Sequence, residues 1–187
     1  TGFFLRAAKK RGWTVTGIEP NQSARNLANS KSPNTVFDGD KLQTLPEHSF
    51  DVITLWHVLE HLPDLQSDIA AFQKLLKPNG RIVLAVPNFK SFDSDYFKAF
   101  WAAYDVPRHL WHFSQQSISI LFSKVQMKLE ATHPLVMDAY YVCLLSNKLK
   151  SGSYRILNSL CIGFISNLKA LKTGEYSSLI YILKNNN

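Results

Sequence analysis

The sequence alternates between apolar extended runs and segments of helical periodicity, and this pattern constrains the fold most. Residues 50–55 and 81–86 are short, nearly continuous apolar runs, which are typical of strands covered on both faces. Between them, apolar residues recur at helical spacing from Ile69 to Leu76, until a Pro-Asn-Gly turn at residues 78–80. Strand–helix–strand units with such short connections predict an α/β fold with a mainly parallel sheet.

The first fifty residues continue the same alternation. We expect their second helix to direct Ala24, Leu27 and Ala28 inward, because these residues share one helical face. Four elements are predicted here: a helix over residues 3–11, a strand over 13–18 that ends on Glu19, a helix that begins at residues 20–23, and a short strand near 35–37.

Beyond Asn88 the pattern changes, but no linker composition separates the two halves. One domain is therefore predicted over residues 1–187, with a helical insertion before its closing strand. The predicted elements are a loop or short helix over 89–101, a helix over 114–124 with a Ser-Gln-Gln-Ser cap, a strand over 127–133, helices over 140–150 and 154–172, and a strand over 178–183.

The composition indicates a folded chain that lacks the charge pattern of a nucleic-acid-binding protein. Hydrophobic residues make up 45% of the 187 residues and charged residues 19%, which is ordinary for a globular domain. The net charge of +7 comes from 21 basic and 14 acidic residues spread along the chain, whereas nucleic-acid binding needs a concentrated basic stripe. We expect no nucleic-acid partner, and the sequence leaves the oligomeric state open.

The cysteines and the apolar runs bear on the compartment. Cys143 and Cys161 lie in apolar, helix-like stretches without a CxxC or His/Cys neighbour. This pattern predicts two buried free thiols and a reducing, cytoplasmic setting. The longest apolar runs, residues 135–145 and 156–165, are much shorter than the about 20 residues that cross a bilayer. No transmembrane segment is predicted, and peripheral contact with a membrane is left open.

Three positions near predicted strand ends suggest a cofactor site. Gly2 precedes a helix, whose N-terminal amides can meet a carboxylate or a phosphate. Glu19 ends a strand at the distance from a glycine loop that suits an acid accepting hydrogen bonds from a ribose diol. Asp40 follows the next strand, where a carboxylate can hold an exocyclic amine. Ligands of doubly wound folds bind at the carboxyl ends of the strands, so the three positions together predict a binding site.

Five segments resemble the motifs of class I S-adenosylmethionine-dependent methyltransferases, and together they cover about residues 1–90. The first strand and the earlier glycines of the family pattern are absent. Residues 1–5 are similar to the end of the glycine-rich motif, 17–20 to the acidic second motif, Asp40 with 45–46 to the adenine-side turn, 50–64 to the fourth-strand signature, and 75–81 to the helix-to-strand turn, with Asn79 where a second glycine is usual.

The resemblance implies a Rossmann-like, doubly wound, mainly parallel sheet with an antiparallel last strand, for which residues 178–183 are the candidate. It implies that residues 1–90 bind the cofactor and that residues 91–187 form a substrate-side cap, the helical insertion and the closing strand. The implied cofactor is S-adenosylmethionine, with S-adenosylhomocysteine as product. Position by position, Gly2 would face the methionyl part, Glu19 with Pro20 the ribose hydroxyls, and Asp40 the adenine amine, with Trp56 and His57 beside the cofactor.

The stretch over residues 104–114 resembles a segment of one methyltransferase subgroup that would lie above the transferable methyl group. His109 or His112 can take a proton from a hydroxyl substrate. Arg108 can hold an anionic group of the substrate. The alternative is a structural corner in which Arg108 pairs with Asp105 and the aromatic residues pack.

Further candidates are His61 as a catalytic residue and Glu60 and Tyr104 as substrate-binding residues. Glu60 and His61 can equally tie down their loop. Residues 57–61 also match H-x-x-E-H, an inverted zinc-peptidase pattern. That chemistry needs both histidines on one helical face, and Pro63 follows too soon for such a helix. We therefore expect no bound metal.

The predicted activity is methyl transfer from S-adenosylmethionine to an oxygen of a small molecule or cell-envelope precursor. Oxygen is favoured by the histidines and by the lack of an Asn-Pro-Pro-Tyr-like signature after the fourth strand. Two alternatives remain. A non-catalytic methyltransferase-like binding module would have a degraded glycine loop, and a nicotinamide-dependent Rossmann oxidoreductase would have a tyrosine–lysine pair at helical spacing.

Overall fold

A computed structural model describes residues 2–186 of the chain. The backbone forms two compact units, Thr1–Ser49 and Phe50–Asn187, and each has its own sheet. The sequence-based boundary at residue 90 falls inside the second unit. The arrangement of one domain with a cofactor-binding half stays a prediction.

The first unit alternates helix and strand as predicted. Its elements are α1 (Phe3–Lys10), β1 (Gly17–Ile18), α2 (Gln22–Lys31), β2 (Val36–Phe37) and a 3-10 helix at Gly39–Thr44. The two strands are parallel, with Gly17 opposite Val36. The strand predicted over residues 13–18 is confirmed only for its last two residues, because β2 offers it just two pairing partners.

Asparagine side chains shape the first unit by bonding its backbone. Asn21 caps α2 by accepting a hydrogen bond from the Ala24 N–H at 3.0 Å. The Asn29 amide bonds both backbone groups of Val36, donating to the carbonyl at 2.7 Å and accepting from the N–H at 3.0 Å. These bonds pin α2 to the strand that follows it.

The inward face of α2 is only partly the predicted one. Ala28 is buried and Ala24 half-buried, but Leu27 is 45% exposed, so its predicted inward orientation is wrong. The reason is close packing on the Ala28 side, where a Cβ at Gly2 would lie 3.0 Å from the Ala28 Cβ. Leu27 points away from that contact.

The second unit contains a four-stranded mixed sheet. Its strands are β3 (Phe50–Trp56), β4 (Leu76–Pro87), β5 (Met127–Pro134) and β6 (Ser178–Asn185), in the order β3-β4-β6-β5. β3 and β4 pair in parallel, and β6 runs antiparallel to both β4 and β5. The expectation of an antiparallel closing strand is confirmed.

The predicted Pro-Asn-Gly turn lies within the pairing of β3 and β4. Phe50 pairs with Leu76 and Val52 with Arg81, so the intervening residues of β4 bulge out of register. Gly80 approaches closely here, because a Cβ would lie 3.0 Å from the Phe50 carbonyl oxygen. Beyond the bulge the register is regular, with Leu55 opposite Leu84.

The α-helices of this unit are α3 (Leu65–Leu75), α4 (Phe92–Phe97), α5 (Gln115–Ser123), α6 (Asp138–Ser151) and α7 (Ile156–Thr173). Two of them begin where a predicted cap lies. Asp64 caps α3, accepting from the Ser67 N–H at 3.3 Å, and Ser114 forms a capping box with Ser117 at the start of α5. The predicted helical insertion consists of α6 and α7, which lie between β5 and β6.

A fully buried carboxylate joins three parts of the second unit. Asp93, in α4, accepts hydrogen bonds from Trp101 Nε1 at 2.7 Å, Ser166 Oγ of α7 at 2.6 Å, and Ser177 Oγ at 2.7 Å. A buried charge of this kind needs several donors. The network therefore fixes the rotation of α7 and its position beside the residues that lead into β6.

The two cysteines differ in exposure. Cys143 in α6 is buried, but Cys161 in α7 is exposed, so the expectation of two buried thiols is wrong for Cys161. Its helix carries small and polar residues on its buried side, which leaves Cys161 outside. Both thiols are free, and the cytoplasmic location stays a prediction.

No helix among residues 2–186 is long and apolar enough to cross a membrane.

Candidate functional site

Gly2 occupies a position that only glycine suits. It precedes α1 in a left-handed conformation with φ 67°, and its carbonyl accepts from the Arg6 N–H at 3.0 Å. A side chain here would meet both the Cβ and the backbone of Ala28. Gly2 thus leads into the N-terminal turn of α1, and a helix N-terminus is a favourable position for an anion.

Glu19 is held at the end of β1 by local bonds. Its Oε1 accepts from the Asn21 N–H at 3.0 Å, and its own N–H donates to the Phe37 carbonyl at 2.9 Å. Among the described residues only Asn21 bonds the carboxylate. The half-buried side chain therefore keeps acceptor capacity for a ligand hydroxyl.

Sequence reasoning missed Arg25, which organises this strand end. Its guanidinium donates to the Glu19 carbonyl at 2.6 Å and to the Pro20 carbonyl at 3.0 Å, and it pairs with Asp38 at 2.7 Å. The sequence did contain a signal for this role, because Arg25 is a basic residue in the first turn of α2, shortly after the acidic residue Glu19 at the end of β1. Asp40 lies in the first turn of the 3-10 helix that Asp38 caps, and its side chain is exposed.

In the second unit, His57 follows β3 and lies between two carboxylates. Its Nδ1 is 3.3 Å from Glu60 Oε1 and its Nε2 is 3.4 Å from Asp138 Oδ2. Hydrogen bonds to Asp138 and Glu60 raise the pKa of His57 to about 9, against the opposing effect of burial. His57 is therefore an imidazolium near neutral pH, and neither ring nitrogen is free to accept a proton or bind a metal.

Asp138, the first residue of α6, is a second residue that sequence reasoning missed. Burial alone would raise its pKa, but the hydrogen bonds of His57 and Ser178, together with the charge of His57, lower it. The pair therefore connects the loop after β3 to the helical insertion. No local pattern signals a contact between residues so far apart in sequence.

Trp56, which precedes His57, is 39% exposed. The predicted position of Trp56 and His57 beside a cofactor stays a prediction.

Glu60 is the buried centre of the loop after β3. Its side chain is 1% exposed, and Oε2 has no hydrogen-bond partner among residues 2–186. Its backbone carbonyl accepts from the N–H groups of Leu110 at 2.8 Å and Trp111 at 3.3 Å. Trp111 Nε1 in turn donates to the Leu62 carbonyl at 2.8 Å. The loop after β3 and the stretch over residues 104–114 are thus joined by hydrogen bonds to main-chain carbonyls.

His61 and His109 meet beside Glu60. Their ring centroids are 4.7 Å apart in an edge-to-face arrangement. His61 Nδ1 lies 2.9 Å from the Arg108 carbonyl, and His109 Nδ1 lies 2.8 Å from the Ala103 carbonyl. A carbonyl can only accept, so in each neutral ring Nδ1 carries the proton and Nε2 carries the lone pair. Each neutral ring therefore has its lone pair on Nε2, and Nε2 of His109 lies 3.8 Å from Asp105 Oδ2.

The potential ligand atoms of Glu60, His61 and His109 all lie within 4.8 Å of one another. The H-x-x-E-H pattern of residues 57–61, which the sequence disfavours as a metal site, does not bring His57 into this group, because His57 is bound to Asp138. The absence of a bound metal stays a prediction.

Arg108, His112 and Tyr104 form the corner that sequence reasoning offered as the alternative. Arg108 pairs with Asp105 at 2.7 Å while its side chain remains 76% exposed. His112 Nε2 bonds the Tyr104 carbonyl at 2.9 Å, and the two rings stack edge to face at 5.0 Å. The roles of these residues in substrate binding and catalysis stay predictions.

Two clefts of about 460 Å³ each border this region. One is lined by Pro63, Leu65, Trp111 and His112, among others, and the second by residues that include Tyr104. Neither is lined by His61 or His109. His112 and Tyr104 therefore face different clefts, although they bond each other.

The stretch over residues 104–114 lies at the carboxyl ends of the parallel strands β3 and β4. Asn88, directly after β4, forms a bridge with Phe113, and the Phe89 N–H donates to the Phe113 carbonyl at 3.1 Å. Glu60 and His61 follow β3 at the same edge. A mixed α/β sheet with its polar cluster at this edge defines a Rossmann-like protein.

A family model described as a methyltransferase domain matches residues 1–132. The match covers more than half of the chain, so the chain belongs to this methyltransferase family. This result favours the methyltransferase over the nicotinamide-dependent oxidoreductase.

Curated relatives match about half of the chain. A methyltransferase from Geobacillus thermodenitrificans, whose activity is uncharacterised, is 36% identical over 103 residues, which are 52% of this chain and 47% of that protein. A ubiquinone biosynthesis O-methyltransferase from Saccharophagus degradans is 33% identical over 94 residues, 46% of this chain and 40% of that protein. The matched region thus spans less than half the length of either relative.

Solved structures share the fold over nearly the whole chain. A S-adenosylmethionine-dependent methyltransferase from Archaeoglobus fulgidus has a TM-score of 0.63 and 18% identity, covering 97% of this chain and 80% of its own. One from Mesorhizobium loti has a TM-score of 0.62 and 15% identity, covering 98% and 86%. These likenesses confirm the predicted Rossmann-like α/β fold.

Proposed function

We propose that the protein transfers the methyl group of S-adenosylmethionine to an oxygen atom of a small molecule or cell-envelope precursor. The observation that carries this proposal is the meeting of His61 and His109 beside buried Glu60, in a member of a methyltransferase family. In the neutral form of each ring the lone pair is on Nε2, and the cluster follows the carboxyl end of β3. A hydroxyl group must lose its proton when it is methylated, and this cluster supplies the base.

The first unit fits its proposed cofactor role. The Glu19 carboxylate is fixed by Asn21 through one oxygen and can accept from a ribose diol. Gly2 lacks a side chain where the helix start must stay open, and Asp40 is exposed for the adenine amine. Pro20 is positioned through its carbonyl by Arg25. When bound, S-adenosylmethionine supplies an electrophilic methyl group on a sulfonium.

The second unit supplies alignment and proton removal. Displacement at a sulfonium carbon depends more on geometry and exclusion of water than on a strong catalyst. His109, 11% exposed, is better shielded than His61, so we assign it as the base and His61 as its neighbour. Arg108 and Tyr104 are proposed to contact the substrate. His57 stays cationic and positions Glu60.

Oxygen as the methyl acceptor has support from one group of relatives. Several matched proteins of 31–33% identity are ubiquinone biosynthesis O-methyltransferases. Their name states O-methylation, and the histidine cluster here is suited to a hydroxyl substrate. A hydroxyl-bearing small molecule is therefore the first class to assay.

The cofactor assignment is tested by calorimetry with S-adenosylhomocysteine on the full-length protein. Glu19→Ala is expected to weaken binding at least about tenfold, the loss of one hydrogen bond to a charged group. Glu47→Ala, an exposed acid of the same unit, is the matched control and should leave affinity unchanged. Unchanged affinity in Glu19→Ala would contradict the assignment. Wild-type protein that binds no cofactor would support the non-catalytic module instead.

A further inference from the structure

Helix α7 exposes most of its large apolar side chains and buries mainly small or polar ones. Its buried residues are Ser159, Ile162, Gly163, Ser166, Asn167 and Ala170. Its exposed residues include five large apolar side chains that are each 49–80% exposed and recur at helical spacing. These five form what we call the α7 apolar face: Leu157, Leu160, Phe164, Leu168 and Leu171. An ordinary surface helix has the opposite arrangement.

The inverted orientation is fixed by specific bonds. Ser166 donates to buried Asp93 at 2.6 Å, and Asn167 donates to the Val136 carbonyl at 3.0 Å. At the other end, Ser159 accepts from Asn147 of α6 at 2.9 Å. Rotating α7 to bury its leucines would break all of these bonds and leave a buried carboxylate short of donors.

Close helix packing also holds this orientation. A Cβ at Gly163 would lie 2.8 Å from the Tyr140 ring and 3.1 Å from the Tyr140 Cα, so α6 and α7 cross where only glycine fits. The α7 apolar face is thus directed outward by the fold. Contiguous exposed apolar surface of this kind marks an interaction site.

The charges around the face identify the partner. Residues 139–174 contain no acidic residue and five basic ones. All five basic side chains are exposed: Lys148, Lys150, Arg155, Lys169 and Lys172. Tyr141 and Tyr154 are also exposed, at 62% and 44%, and tyrosine favours the boundary between lipid and water. The partner is therefore apolar and anionic.

We propose that the α7 apolar face docks the protein on an anionic phospholipid bilayer, with α7 lying in the plane of the interface. A helix with leucines and phenylalanine on one side and flanking lysines is typical of such binding. α7 is not long and apolar enough to span the bilayer. A symmetric contact with a second copy is disfavoured, because it would bring the exposed basic side chains of residues 148–172 of two copies together. This proposal does not rest on methyl transfer.

Sedimentation with phospholipid vesicles tests the proposal on the full-length protein. We expect binding to phosphatidylcholine vesicles that contain phosphatidylglycerol and much weaker binding to phosphatidylcholine alone. The double variant Phe164→Asp with Leu168→Asp should lower the partition coefficient at least about tenfold. Lys148→Glu should lower it about fivefold or more on the anionic vesicles.

The matched control is Ile120→Asp, which alters a residue 52% exposed on α5 and should leave vesicle binding unchanged. Equal losses in the control and the α7 variant would overturn the proposal. Absence of wild-type binding to the anionic vesicles would also overturn it. So would a dimer in analytical ultracentrifugation that dissociates in the α7 variant, since a second copy would then cover the face.

A second measurement avoids substitutions altogether. Cys161 is exposed on α7 and Cys143 is buried, so an environment-sensitive fluorophore can be attached selectively to Cys161. Anionic vesicles should shift its emission to the blue, and brominated lipids should quench it. Emission that does not respond to vesicles would overturn the proposal even if the aspartate variants fail to fold.

Discussion

The two units of the chain use different means to hold their shape. In the first unit, Ala28 and Val36 are the buried apolar residues, whereas Phe3, Trp13 and Leu27 are 71%, 54% and 45% exposed. The second unit buries a continuous set of large side chains along its sheet and helices, among them Leu55, Ile82, Leu84, Phe122 and Leu183.

The difference reflects how much sheet each unit contains. A pair of two-residue strands buries little apolar surface. The first unit is therefore stabilised by the helix cap and the side-chain hydrogen bonds that Asn21, Asn29 and Arg25 make. Four long strands give the second unit a core. The comparison teaches that binding residues can be placed by local bonds, whereas the histidine cluster needs long-range packing.

The largest expected effect is the loss of stability when leucine is replaced by alanine, compared between the two units. Leu84→Ala, at a fully buried position of β4, should lower the free energy of unfolding by about 2–5 kcal/mol. Leu27→Ala, at the exposed position of α2, should change it by less than about 0.5 kcal/mol. Urea denaturation monitored by circular dichroism measures both values. Equal losses would mean that the first unit has a core of its own.

The next effect separates the functional roles of the units. His109→Ala should reduce turnover about a hundredfold, because a positioned base is lost, and should leave S-adenosylhomocysteine affinity unchanged. His133→Ala, an exposed histidine of β5, is the control. Steady-state kinetics and calorimetry give the two quantities. Wild-type turnover in the His109 variant would make His109 a structural residue.

A smaller effect concerns the ion pair between His57 and Asp138. The pKa of His57 is raised from 6.5 to about 9 in the folded protein. The contribution of this ion pair to folding stability is therefore complete below about pH 6.5 and is lost as the pH rises through about 9. His57→Gln should cost about 1 kcal/mol at pH 6, a discounted figure because the side chain is 39% exposed. Its unfolding free energy should converge with that of wild type near pH 10. A loss that does not depend on pH would exclude the ion pair as its cause.

The smallest expected effect is that of a chelator. Activity should stay unchanged in EDTA, since the proposed mechanism removes the substrate proton with His109 and uses no metal ion. A strong loss that zinc or magnesium restores would show that Glu60, His61 and His109 hold a metal. That result would change the role of the second unit from proton removal to metal-assisted chemistry.

Much of the local structure was predictable from the sequence. Helical periodicity and capping residues located α3 and α5, and apolar runs located β3 and the regular part of β4. These features depend on neighbours within a few residues. Glycine positions such as Gly2 were recognisable for the same reason, because a tight helix start restricts the residue type.

The tertiary structure alone decided which side of each element meets a partner. Periodicity showed that Leu27 and Ala28 share a face, but the close approach of Gly2 selected Ala28 for burial. The same holds for α7, whose polar side faces inward because buried Asp93 needs donors from distant residues. His57 became a cation through Asp138, and His109 met His61, because folding joined separate segments. A sequence pattern records which residues lie together on an element, whereas contacts between elements arise only when the chain packs.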